Sequence, residues 1–146
     1  YKIALMDAAK RGVDVRVVTN AGATSDLPNI NKVAVFAYRE LLAARVRIFE
    51  RDAVKTNGRT MHTKAAVFGK STSAIGSWNA DNRSESLNSE ALAVIYDDAI
   101  ADTYAKAIEA DMQPGAAIEL ALPAAGSRPL RDEVDAYLQS VLTNLM

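Results

Sequence analysis

The 146-residue chain has no cysteine, one histidine, one tryptophan and only 6% aromatic residues. Without thiols there is no disulfide scaffold, no thiolate zinc site and no cysteine nucleophile. A cysteine-free chain persists in either redox environment, so the compartment stays open. No apolar run approaches the roughly 20 residues that span a bilayer as a helix. Charge of one sign is also missing overall: 17 basic and 18 acidic side chains leave a formal −1. That balance, with a pI near 5.8, gives no support to a generic polyanion binder. Hydrophobic residues at 49% and charged residues at 24% are ordinary for a globular protein and exclude a disordered or fibrous class. The length fits one domain with a sizeable core.

The balance conceals a split. Residues 1–83 hold 14 basic against 7 acidic side chains, a net of +7, and residues 84–146 hold 3 against 11, a net of −8. An acidic outer face on the later helices explains this blandly. The split gains meaning only where the chemistry lies in the basic part.

Hydrophobic periodicity sets out the elements. The chain opens at Tyr1 inside a helical pattern (Ile3, Leu5, Met6, Ala9) that Gly12 stops. No N-cap or signal peptide precedes it, and the expectation is that the native chain extends upstream. Val13–Thr19 is predicted as a strand, 20–31 as a loop, Lys32–Ala44 as a helix and Val46–Glu50 as a second strand. A strand, helix and strand so connected imply a right-handed crossover and a parallel pair. Met61–Phe68 and Thr72–Gly76 read as a hairpin turning at Gly69–Ser71, and Ser77–Leu87 as irregular. Glu90–Tyr96 follows as a strand. Asp97 or Asp98 caps a helix with Ile100, Tyr104, Ile108 and Met112, which Pro114-Gly115 ends. A final helix from Ser127 carries a stripe of Leu130, Val134, Tyr137, Leu138, Val141, Leu142 and Leu145. Its usual meaning is packing on the parent domain, and Asp132, Glu133 and Asp135 argue against attraction to anionic lipid. The class is α/β, a mixed, mainly parallel sheet flanked by helices. Residues 1–112 form the domain, and 113–146 a C-terminal extension whose helix packs on it.

One constellation carries chemistry. His62 and Lys64 are two apart on a predicted strand and project from one face. Gly76-Ser77-Trp78-Asn79 and then Asn88-Ser89-Glu90 follow. This string resembles the phospholipase D superfamily, whose motif reads H-x-K-x4-D-x6-G-S-x-N, in order and spacing at His62, Lys64, Gly76, Ser77 and Asn79. Glu90 falls where that family has a downstream acid, and Gly69 stands where it has Asp. The upstream run Gly12-Val13-Asp14-Val15-Arg16 with Tyr38–Leu42 and Val46–Glu50, and the run Asn79-x-Asp81-x-Arg83-Ser84, are similar to bacterial cardiolipin synthase-like phosphatidyltransferases. The likeness covers about residues 4–112. It implies a phospholipase D-like half-domain, an α-β-α sandwich, and membership of an enzyme family acting on phospholipids through a phosphohistidine. It also implies a bacterial source and, for a phospholipid enzyme, association with a membrane.

Phosphodiester cleavage needs a nucleophile, stabilisation of charge on the non-bridging oxygens and a proton for the leaving alkoxide. Neutral imidazole is a competent nucleophile, a role for His62 or for its partner histidine in a second motif. Lys64 is the cationic donor to a phosphate oxygen and Asn79 a neutral one. Glu90 would accept from the other ring nitrogen of His62 and fix its tautomer. Ser77 and Arg83 are candidates for binding substrate. The blander roles stand beside these: Ser77 and Asn79 also suit a turn, Glu90 a surface arginine, Arg83 solvent, and Trp78 packing. Thr63, Ala65 and Val67 should face the core. No metal or other cofactor is required by this scheme, and no cluster has metal-ligand spacing.

The superfamily site uses two such motifs, and this chain has one histidine. The resemblance therefore implies a partner: a second motif half from an upstream region, or a homodimer mate. The substrate expected is a phospholipid or another phosphodiester, with peripheral membrane contact. Nucleic acid ranks below it, since no basic-aromatic interleave is present. A single-motif homodimeric nuclease and a degenerate, non-catalytic half are the alternatives, the latter motivated by Gly69.

Overall fold

The computed structural model describes residues 1–26 and 37–122, which form two compact units. One comprises Tyr1–Met61 and the chain from Pro114 on, the other His62–Gln113.

In the first unit, α1 (Lys2–Lys10) leads through Gly12 to β1 (Arg16–Thr19) and a 3-10 turn at Gly22–Thr24. The chain is again helical at 37–43 (α2), then enters β2 (Arg47–Arg51). The predicted helix from Lys32 is seen in its later part; its first residues, like the predicted helix from Ser127, lie outside the described residues. β1 and β2 pair in parallel, Val17 opposite Ile48 and Val18 opposite Phe49, as the crossover argument required. β6 (Ala117–Glu119) then adds to the far side of β2, antiparallel, with Glu50 opposite Ile118. Ala9, Val15, Tyr38, Leu41, Val46 and Ile48 form the core between the helices and this sheet. Ile48 and Val46 are wholly enclosed, at 0% and 1% exposure, and burying side chains of this kind contributes about 2 kcal/mol each.

In the second unit, β3 (Ala65–Phe68), β4 (Thr72–Gly76) and β5 (Leu92–Tyr96) make an antiparallel sheet in that order. A five-residue helix, α3 (Asn82–Ser86), lies in the segment read as irregular, and α4 (Asp98–Asp111) packs on all three strands. Asp97 caps α4 by accepting from Ile100 N–H at 2.9 Å. The buried contact on α4 is the small Ala101 at 1% exposure, whereas Ile100 remains 38% exposed. A small side chain at that point lets the helix backbone approach the sheet closely.

The mixed α/β class therefore stands, but the expectation of mainly parallel pairing is corrected. Among the described residues one of the four strand pairs is parallel. The physical reason is connection length: a three-residue turn at Gly69–Ser71 can only reverse the chain, whereas the long segment between β1 and β2 permits a crossover. Gly69 sits at φ +64°, a conformation glycine adopts without strain, so this turn forms without the aspartate of the resembling motif.

Candidate active site

The Gly-Ser-x-Asn part of the motif is built where β4 ends. β4 must run close to β5 there: a Cβ on Gly76 would lie 2.0 Å from Ala91 O and 2.9 Å from Leu92 Cα. Only glycine fits, which gives the Gly of Gly-Ser-x-Asn a steric cause. The close passage lets Ser77 N–H donate to Ala91 O at 2.9 Å and Ala91 N–H donate to Ser77 Oγ at 3.0 Å. Ser77 is thus held at the strand end beside Glu90. Its hydroxyl donates to Glu90 Oε2 at 2.5 Å.

Asn79 is placed by α3. Asp81 accepts from Ser84 N–H at 2.8 Å, the N-cap bond that starts this short helix. Ser84 is thereby turned inward, buried at 6% exposure. Its hydroxyl accepts from Asn79 N–H at 3.1 Å and, more loosely, from Asn79 Nδ2 at 3.5 Å. It donates to Glu90 Oε1 at 2.6 Å, and Asn88 Nδ2 donates to the same oxygen at 3.2 Å. Glu90 consequently collects three side-chain donors. Its carboxyl is held below the ordinary glutamate value, first by the Ser77 bond, then by Ser84, with Asn88 and the charge of Lys64 adding to the effect and desolvation opposing it.

His62 and Lys64 precede β3 and lie outside any strand, which corrects the predicted strand from Met61. The ladder carries on only as far as Gly76 N–H donating to Lys64 O at 3.1 Å. β4 ends at Gly76, so residues 61–63 have no partner strand to hold them extended. Lys64 Nζ donates to the His62 carbonyl at 3.0 Å, joining the two motif residues directly. The His62 ring is exposed and makes no hydrogen bond among the described residues. The expected His62–Glu90 bond is not formed, and Ser77, Ser84 and Asn88 hold that carboxylate instead. Oε2 retains a lone pair for a further donor.

Of the sequence candidates, Ser77, Asn79 and Glu90 are brought into one network, and Lys64 acts on Glu90 through its charge. Arg83 is exposed and stands apart; its carbonyl serves the turn after α3, accepting from Asn88 N–H at 2.8 Å. Thr63 is exposed, and Ala65 and Val67 are half-buried, not core. Ser84 is the residue sequence reasoning passed over, although Asp81 three residues before it is a helix N-cap signal that turns it inward. Upstream, the Asn20 side chain clasps Met61, donating to its carbonyl at 2.8 Å and accepting from its N–H at 2.8 Å. Among the described residues no three His, Cys, Asp or Glu side chains are grouped so as to hold a metal.

Residues 3–112 match the family described as cardiolipin synthase, PLD-like domain. The chain is 34% identical over 110 residues to the minor cardiolipin synthase ClsB of Bacillus subtilis, covering 75% of this chain and 26% of that protein. It is 33% identical over 94 residues to cardiolipin synthase B of Escherichia coli K12, covering 64% and 21% respectively. The chain thus spans about a quarter of the length of these curated relatives. The crystal structure of Nuc from Salmonella typhimurium, a phospholipase D family member, is similar at a TM-score of 0.65, with 21% identity, over 82% of this chain and 72% of that one. At that identity the likeness is one of fold, and it agrees with the mixed sheets and helices described above. The upstream crossover, the Gly-Ser-x-Asn turn and the matched family converge: this chain belongs to the phospholipase D-like domain family of the cardiolipin synthases.

Proposed function

We propose that this chain supplies one motif half of a phosphodiester-cleaving site that transfers a phosphatidyl group between alcohols. The observation that carries the reading is the order His62-x-Lys64, Gly76-Ser77-x-Asn79 and Glu90 in a chain of this family, with the last three polar residues joined in one network. In the first step a neutral His62 nitrogen attacks phosphorus, the bond to the leaving alcohol breaks, and an acid on the second motif protonates the alkoxide. In the second step that same group takes the proton of water or an acceptor alcohol, whose oxygen attacks phosphorus and releases His62. Lys64 and the Asn79 amide stabilise the non-bridging oxygens, where charge grows most in the transition state. Glu90 is ionised at neutral pH, as an ordinary glutamate is, and its donors favour that form further. It is then available to accept from His62 when substrate closes the site.

The second motif half comes from another stretch of the same polypeptide or from a second copy, because one histidine serves one motif. The substrate places the enzyme at a bacterial membrane surface as a peripheral contact. No described helix is long and apolar enough to cross a membrane.

Incubating the full-length enzyme with phosphatidylglycerol tests the reading. His62→Ala is expected to lower turnover on the order of a thousandfold or more. Equal activity of the two proteins would overturn the assignment. A second reading, a single-motif phosphodiesterase acting on nucleic acid, is favoured only by the net +7 of residues 1–83. It predicts salt-sensitive DNA binding with cleavage; negligible, salt-insensitive binding removes it.

A further inference from the structure

Ser84 has one hydroxyl proton and two lone pairs; the proton and one lone pair are committed, and the second lone pair faces Asn79 Nδ2 at the outer limit of a hydrogen bond, 3.5 Å. An ionised carboxylate only accepts, so the proton goes to Glu90 Oε1 at 2.6 Å. Both lone pairs are then left for Asn79, whose N–H lies at 3.1 Å and whose Nδ2 lies at 3.5 Å. The polarity of this chain cannot reverse: Asn79 donates to Ser84, and Ser84 donates to Glu90. Turning the Asn79 amide over would set Oδ1 against the same lone pairs. The observed orientation spends one Nδ2–H on Ser84 and leaves the other for a ligand.

We propose that Ser84 is the positioning residue that orients the Asn79 amide toward a phosphate oxygen and ties that orientation to the ionised state of Glu90. The inference rests on the phosphodiester reading above and deepens it. Ser84 would touch no substrate; it acts through Asn79 and Glu90. A purely architectural role in α3 is separable, because the Asp81 cap is made to the backbone N–H of Ser84 at 2.8 Å and survives loss of the hydroxyl. Lys64 is the charged group that faces Glu90, and it is unchanged by the substitution.

The test compares the full-length wild type with Ser84→Ala, Ser84→Thr, Asn79→Ala and the double Ser84→Ala/Asn79→Ala on phosphatidylglycerol. Ser84→Ala is expected to lower kcat roughly ten- to a hundredfold, the scale of a slightly misplaced catalytic group, with KM within about twofold. Glu90 loses a donor that favours its ionised form, so its carboxyl should titrate at higher pH than in the wild type. Ser84→Thr, which keeps the hydroxyl, should restore most of the activity. In the Asn79→Ala background the added Ser84→Ala should lower kcat by much less than in the wild type, since only the route through Glu90 is left. Carboxyl NMR of Glu90 reads the same link without turnover, and an upward pKa shift in Ser84→Ala is expected. Wild-type kcat with an unmoved Glu90 titration in Ser84→Ala would overturn the inference alone. Full activity of His62→Ala would instead overturn the reading on which it rests.

Discussion

At Gly76 the β5 backbone passes so near that any side chain would drive a Cβ into Ala91 O, 2.0 Å away. Gly76→Ala should therefore separate β4 from β5 at the point where Ser77 and Glu90 meet. The expected loss is about 3 kcal/mol, the upper part of the overpacking range, read as a lower denaturant midpoint with unchanged slope. Activity should fall further than stability, because the Ser77–Glu90 bond spans the forced gap. A second residue-scale effect concerns pH. The Glu50 carboxyl, half-buried near Tyr38, is pushed above the ordinary 4.5 by desolvation, with the Tyr38 hydroxyl partly opposing. The Tyr38 phenol is itself pushed up, first by burial and then by the Glu50 charge. A carboxyl raised in the folded state favours folding most below its unfolded pKa, and that advantage is lost as pH rises through the folded value. Glu50→Gln should accordingly be more stable than wild type at pH 7 and indistinguishable from it near pH 3, measured by denaturation at both. Glu90 has the opposite sign: its contribution is present above 4.5 and is lost as pH falls through its lowered value.

At the scale of elements, the ends of α1 and α2 are a matched pair. Each stops with two reversed hydrogen bonds: Gly12 N–H to Ala9 O and Val13 N–H to Ala8 O in one, Arg45 N–H to Leu42 O and Val46 N–H to Leu41 O in the other. The left-handed residue is Gly12 at φ +90° in the first and Arg45 at φ +71° in the second. An L-residue there costs about 1–2 kcal/mol, partly offset by the greater unfolded-state freedom of glycine. Arg45→Gly should raise stability by about 0.5–1 kcal/mol, seen as a higher denaturant midpoint. The same pair shows what was legible in the sequence. Gly12 announces the end of α1; arginine carries no stop signal, yet the helix predicted to Ala44 ends within one residue of it, because the strand predicted from Val46 marks the boundary from the other side. Asp97 announced α4, and the three-residue turn announced the β3–β4 hairpin. The onset of β3 was hidden because it depends on where β4 ends, not on the β-like run before Ala65. In the candidate site, the resemblance to the family motif singled out Ser77, Asn79 and Glu90, which the structure joins in one network. Ser84 was not legible as a buried hub, since a serine among polar neighbours reads as solvent-exposed until the Asp81 cap turns it inward.

At the scale of the molecule, the family match ends at residue 112, but the first unit's sheet does not. β6 lies beyond that boundary and carries Glu119, which accepts from Arg47 Nε at 2.7 Å and Nη2 at 3.0 Å across to β2. The exposed ion pair contributes up to about 1 kcal/mol; the backbone ladder of β6 matters more. A chain cut after Gln113 should keep the motif residues yet show a lower denaturant midpoint and a tendency to associate, measured by light scattering, because β2 would then be an open edge. Strand order has a consequence in time as well. β2 is complete at Arg51, and its partner begins only at Ala117. At about 5–20 residues per second, a ribosome takes several seconds to deliver β6 after β2. Throughout that interval β2 waits with one side unpaired on the nascent chain, and the arginines at both of its ends, Arg47 and Arg51, place there the kind of charge that disfavours pairing at an open edge.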